Sequence, residues 1–97
     1  MKNENYYNKI KRLIYKRFDA LDVEDLGHKQ CLFNKESRRI EISIFKQPGE
    51  VYYRNKFSEK ICKYFSVDRV DFEIFLKMWI KDKFKIKIKV NKIYPLF

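Results

Sequence analysis

The stretch RRIEISIFKQPGEVYYR, from Arg38 to Arg54, leaves this chain few alternatives. Ile40, Ile42 and Ile44 alternate with other residues, and a period of two places them on one face of a strand. Gln47-Pro48-Gly49-Glu50 then fits a type II turn. Proline fixes φ at the second position, and glycine accepts positive φ at the third. EVYYR returns as an antiparallel partner. Upstream, KQCLFN reads as another strand and Asn34 to Ser37 as the turn that follows it. The economical arrangement is a three-strand antiparallel meander.

On either side of the meander the apolar period changes to that of a helix. Residues 3–18 place Tyr7, Ile10, Ile14 and Phe18 on one face, with Tyr6 and Leu13 beside them. Lys9, Arg12 and Lys16 share a different face. Residues 57–65 form a short helix with Ile61, Tyr64 and Phe65 turned inward. Residues 70–82 form a longer one, with Val70, Ile74, Phe75, Met78 and Trp79 on an apolar face that Phe72, Leu76 and Ile80 extend. The segment KFKIKIKVNK, residues 83–92, alternates again. It reads as a closing strand with Lys83, Lys85, Lys87 and Lys89 in a ladder on one face. Whether it pairs within the chain or across a homodimer is left open.

The expected fold is therefore α+β, a single domain over residues 1–97. A four-stranded, mainly antiparallel sheet, in the chain order α-β-β-β-α-α-β, is packed by an N-terminal helix and a C-terminal helix pair. With 45% hydrophobic and 18% aromatic residues, the chain has enough material for one core. Cys31 and Cys62 are the only cysteines. With His28 they make three metal ligands where a structural zinc site takes four, so no cofactor or metal is expected. Met1–Ile10 has no apolar stretch of the secretory kind, and no run is long enough to cross a bilayer. A cytoplasmic location without a membrane partner is the expectation, in the host cell if the chain is viral. The abundance of Lys, Ile, Tyr, Phe and Asn matches AT-rich codons and suggests a phage or another AT-rich genome. Such coding also inflates lysine, so the net charge of +10 is partly codon bias.

That charge favours polyanionic partners, and its distribution matters more than its size. Asp19, Asp22, Glu24 and Asp25 form an acidic cluster that reads as a loop. Residues 58–77 have an apolar frame that resembles DNA-binding helix-turn-helix units. Their turn carries Ser66 where glycine is usual, and their second helix carries Asp68, Asp71 and Glu73, which repel phosphate. The order α-β-β-β-α over residues 3–65 resembles that of the double-stranded RNA-binding domain, with Arg54, Lys56, Lys60 and Lys63 near the second helix. The Gly-Pro loop and alanine-rich helix face of that domain are absent. On the sheet, Arg39 and Phe45, with Tyr52 or Tyr53, would make a basic aromatic surface if no helix covers that side.

Catalysis finds little support. His28 has no evident nucleophile partner, and no glycine-rich loop is available to hold phosphates. Two functional classes follow. The first is a non-enzymatic nucleic-acid-binding accessory protein. Its phosphate contacts would come from Lys9, Arg12, Lys16, Arg38, Arg39, Lys83, Lys85, Lys87 and Lys89. The second is a small protein–protein interaction protein or inhibitor, of phage type, acting through an acidic surface on a host machine.

Overall fold

The computed structural model describes residues 4–47, 49–86 and 88–90. Helix α1 (Glu4–Asp19) is followed by strands β1 (Asp22–Asp25), β2 (Lys29–Phe33), β3 (Ile40–Phe45) and β4 (Glu50–Tyr53). Helices α2 (Asn55–Phe65) and α3 (Arg69–Phe84) come next, and then a short β5 (Lys89–Val90). The strands lie in chain order across one sheet. β1 to β4 are antiparallel, and β5 adds to β4 in parallel. A parallel neighbour requires a crossover, which α2 and α3 supply. The expected α+β architecture is present: the sheet is packed by the N-terminal helix and the C-terminal helix pair.

One parity of the sheet faces the helices. Leu32, Ile42 and Tyr53 stand opposite one another in register, as do Ile44 and Val51. All five are fully buried, with Ile14 and Phe18 of α1, Ile61 of α2, and Phe72, Phe75, Leu76, Trp79 and Ile80 of α3. Phe72 is the junction. Its ring lies 5.1 Å from Tyr53, 5.8 Å from Phe18 and 6.2 Å from Phe57, so one side chain touches the sheet and both other helices. The Tyr53 hydroxyl donates to Glu73 Oε2 at 2.6 Å. Burial and that bond hold the phenol protonated well above its ordinary range. Trp79 Nε1 donates to Asp19 Oδ1 at 2.9 Å and ties α3 to the end of α1.

Four features differ from expectation. The acidic segment is not a loop: residues 22–25 form β1, a strand whose side chains are almost all wet. Only Val23 is apolar there, so no alternation announces it. The strand exists through its ladder with β2 and through Asp25, which accepts from Gly27 N at 2.9 Å in the turn. At an edge, acids also discourage pairing with other chains. Second, Lys83 and Phe84 are helical. Phe84 lies one turn beyond Ile80 and its ring reaches Trp79 at 5.8 Å, so the core captures it as helix. Lys85 then ends α3 in the left-handed conformation, with its N–H bonded to Lys81 O at 3.0 Å. Third, Val70, Ile74 and Met78 are exposed, because α3 buries the face centred on Phe72, Phe75 and Trp79. Fourth, Tyr64 does not face inward: it is 74% exposed.

The turn expected around Pro48 falls partly outside the described residues, but Gly49 has φ +82°, the positive value required at its position. Ser66, between α2 and α3, also takes the left-handed conformation (φ 54°, ψ 45°) that glycine adopts without strain. Its N–H closes α2, and Asp68 caps α3 by accepting from Asp71 N at 2.8 Å. A serine held there carries a steric cost of about 1 kcal/mol. Replacing Ser66 by glycine is therefore expected to raise the urea midpoint at unchanged m-value, for a gain in stability of up to about 0.5 kcal/mol once glycine's greater freedom in the unfolded chain is deducted. A lower midpoint would show that the serine backbone is relaxed.

Candidate nucleic-acid interface

Helix α1 buries Ile14 and Phe18 and half-buries Tyr7 and Ile10, which turns Lys9, Arg12 and Lys16 to solvent on the opposite side. None of the three forms a salt bridge among the described residues. Arg17 sits between the wet and the buried sides of α1. Its guanidinium carbon lies 5.7 Å from the centre of the Tyr64 ring of α2. Helix α2 packs through Phe57, Ile61 and Phe65, with Ser58 buried beside them. Lys56, Lys60, Lys63 and Tyr64 are thereby exposed at the i, i+4, i+7 and i+8 spacing of one helix face. Arg17, Lys60, Lys63 and Tyr64 line an open depression of about 480 Å³.

The band continues past α2 to the end of the sheet. Arg54, the residue before α2, places Nη1 3.5 Å from Glu41 Oε1. Lys60 and Arg39 also act on that carboxyl electrostatically. Three cations from the sheet, the hairpin and α2 thus converge on one acid, and that acid is hidden: Glu41 is only 4% exposed. Its Oε2 is buried without a hydrogen-bond partner. The exposed acid of α2, Glu59, lines an adjoining depression at the α2–α3 corner with Cys62, Val67, Asp68 and Arg69, and Lys63 borders both depressions. That corner mixes both signs. There α2, Ser66 and α3 make an αα-corner whose second helix opens on Asp68 and Asp71, unlike a phosphate-facing helix-turn-helix.

The other residues with sequence-based claims on phosphate are placed differently. Arg38, at φ 57°, pairs with Asp22 at 3.2 Å and lies 4.9 Å from the Phe33 ring centre, so its charge is countered locally. Arg39 is exposed at the end of the basic band. Lys83 lies 3.7 Å from Asp19 Oδ1 and 5.2 Å from the Trp79 ring centre. Lys85 is the exposed cap of α3. Lys87 lies outside the described residues. Lys89 opens β5 in register with Glu50 of β4. Lys83, Lys85 and Lys89 therefore belong to a helix, its cap and a two-residue strand, and they do not form a ladder on one strand.

Asp19, Asp22 and Asp25, three members of the acidic cluster, act as internal counter-charges to Lys83, Arg38 and Lys46. Asp25 is held below the usual carboxylate range, first by the Gly27 N–H and then by Lys46. Of the two tyrosines that could join Phe45 on the sheet, the structure selects Tyr52. Tyr53 belongs to the core, while Phe45 and Tyr52 meet on the other face at 5.6 Å, edge to face. Lys29 Nζ lies 5.6 Å from the Phe45 ring centre, and on the same parity of the sheet Cys31, Glu41 and Ser43 are buried. Burial pushes the thiol of Cys62 up, and Cys31 is fully buried. Among the described residues no helix is long and apolar enough to cross a membrane. No protein-family model, curated protein or solved structure matches the chain.

Glu41 yields a pH signature. Burial raises its carboxyl above the ordinary value of 4.5, and this outweighs the downward pull of Arg54, Lys60 and Arg39. Between the ordinary and the raised value the folded state binds more proton than the unfolded one. Glu41 therefore costs stability as pH rises through its folded pKa, and the cost disappears below 4.5. The Glu41→Gln variant is expected to melt higher than wild type at pH 7 and at the same temperature below the ordinary carboxylate range. A lower melting temperature at pH 7 would mean that the Arg54 pair outweighs desolvation.

Proposed function

We propose that the protein is a non-enzymatic nucleic-acid-binding protein that holds the phosphate backbone on the basic band of α1 and α2. One observation carries this reading. Arg17 of α1 and Lys60 and Lys63 of α2 line one depression, Lys9, Arg12, Lys16 and Lys56 are exposed on the same two helices, and Glu41, on which Arg54, Lys60 and Arg39 act, is buried. Charge arising from codon bias alone has no reason to line one depression with three cations from two helices. Contacts of this kind set position without reading bases. Lys83 and Lys85 contribute to the general field and make no primary contact.

A second reading keeps the protein as a small interaction protein or inhibitor that docks on an acidic protein surface. It rests on the exposed apolar line Val70, Ile74 and Met78 of α3, which flanking Lys77 and Lys81 would steer toward acid. Fluorescence anisotropy with labelled single- and double-stranded DNA and RNA separates the two. Under the first reading log K falls linearly with log salt, at about 0.9 per neutralised phosphate on duplex DNA. The triple variant Arg17→Gln, Lys60→Gln, Lys63→Gln is expected to reduce that slope by about 2 to 3. Lys83→Gln with Lys85→Gln is expected to leave it within about one unit of wild type. Absence of binding to all four nucleic acids at low salt rules the first reading out.

A further inference from the structure

We propose that Tyr64 is a stacking platform for an unpaired base, so that the protein prefers single-stranded nucleic acid to duplex. The inference rests on the phosphate-binding reading above and adds a substrate class to it. Folding leaves Tyr64 74% exposed although Ile61 and Phe65, three residues before it and one after, face the core or its margin. The ring is nonetheless held. Phe65 meets it edge to face at 4.8 Å and 85°, and Arg17 stands 5.7 Å from its centre. It is the aromatic wall of a depression of about 480 Å³ whose other walls are the cations Arg17, Lys60 and Lys63. That volume falls within the roughly 300–1,000 Å³ of small-ligand sites.

An aromatic face surrounded by phosphate-seeking cations is the arrangement by which proteins hold single strands: the cations follow the backbone and the ring takes a base. In a duplex each base already stacks on its neighbours and presents only its edges in the grooves. Only an unpaired strand can offer a face to Tyr64. A ring of this kind accepts any base, so the preference concerns strandedness and not sequence. Lys60, one turn earlier on α2, and Lys63, adjacent in sequence, line the same depression as the ring and supply the cations for the phosphates of a strand stacked there.

Anisotropy titrations with three labelled probes of equal length test this: an oligothymidine, a duplex and an abasic strand with the same backbone. Wild type is expected to bind oligothymidine most tightly. Tyr64→Ala is expected to lose about 5- to 150-fold on oligothymidine, with less than about twofold change on the duplex and the abasic strand. Tyr64→Phe is expected to retain binding, because it keeps the ring. Alanine removes the edge contact with Phe65, so melting of the variants is measured alongside, and binding to the duplex and abasic probes reports any loss of fold. Equal losses on all three probes, or no loss on oligothymidine, overturn the stacking role and leave phosphate binding standing. Failure of wild type to bind any probe overturns both.

Discussion

Everything that positions the basic band depends on the contact of Phe72 with Tyr53. It is the point where α3 is fastened to the sheet, and through Phe18 and Phe57 it also fixes α1 and the start of α2. Aromatic rings contribute large buried areas and prefer tilted or edge contacts, which limits the ways four of them can meet. Once these rings are seated, the azimuth of each helix is decided. With it is decided which lysines face water together. The electrostatics of the surface follow from packing underneath it.

The same packing explains how the two signs of charge are distributed. Asp19, Asp22 and Asp25 each pair with a cation of another element, at the end of α3, in the β2–β3 turn and at the end of β3. These exposed pairs contribute little to stability, typically 0–1 kcal/mol. They do neutralise Arg38, Lys46 and Lys83 locally. Among the described residues the cations of α1 and α2 form no salt bridge, and Glu41, on which Arg54, Lys60 and Arg39 act, is withdrawn from the surface. Among the described residues, cations paired locally with Asp19, Asp22 and Asp25 thus stand apart from those of α1 and α2 that form no salt bridge.

Legibility of the fold varied with the strength of local pattern. β3 and β4 were evident because Ile40, Ile42 and Ile44 alternate and Gly49 marks the turn. The helical start was evident from Ile14 and Phe18. β1 was not legible, since Val23 is its single apolar residue and the ladder with β2 supplies the rest. The lysine ladder was misleading for the opposite reason. Phe84, Ile86 and Ile88 alternate well, yet Phe84 fits both a strand and one more turn of α3, and Trp79 selects the turn. Of the exposed cations of α1, Lys9, Arg12 and Lys16 stood out by their helical spacing. Arg17 and Tyr64 were not, although Lys56, Lys60, Lys63 and Tyr64 already show the spacing of one helix face.

The amino-acid order by itself determined the alternation of helix and strand periods, the meander, the single-core scale and the excess of positive charge. Each of these is a local or summed property, carried by neighbours within a few residues. Tertiary structure alone decided that Tyr64 faces water, that Glu41 does not, that Lys83 answers to Asp19, and that Arg17 meets α2. Exposure is a property of what lies across from a residue. A period places side chains on a face, but only the packing of other elements decides whether that face is covered.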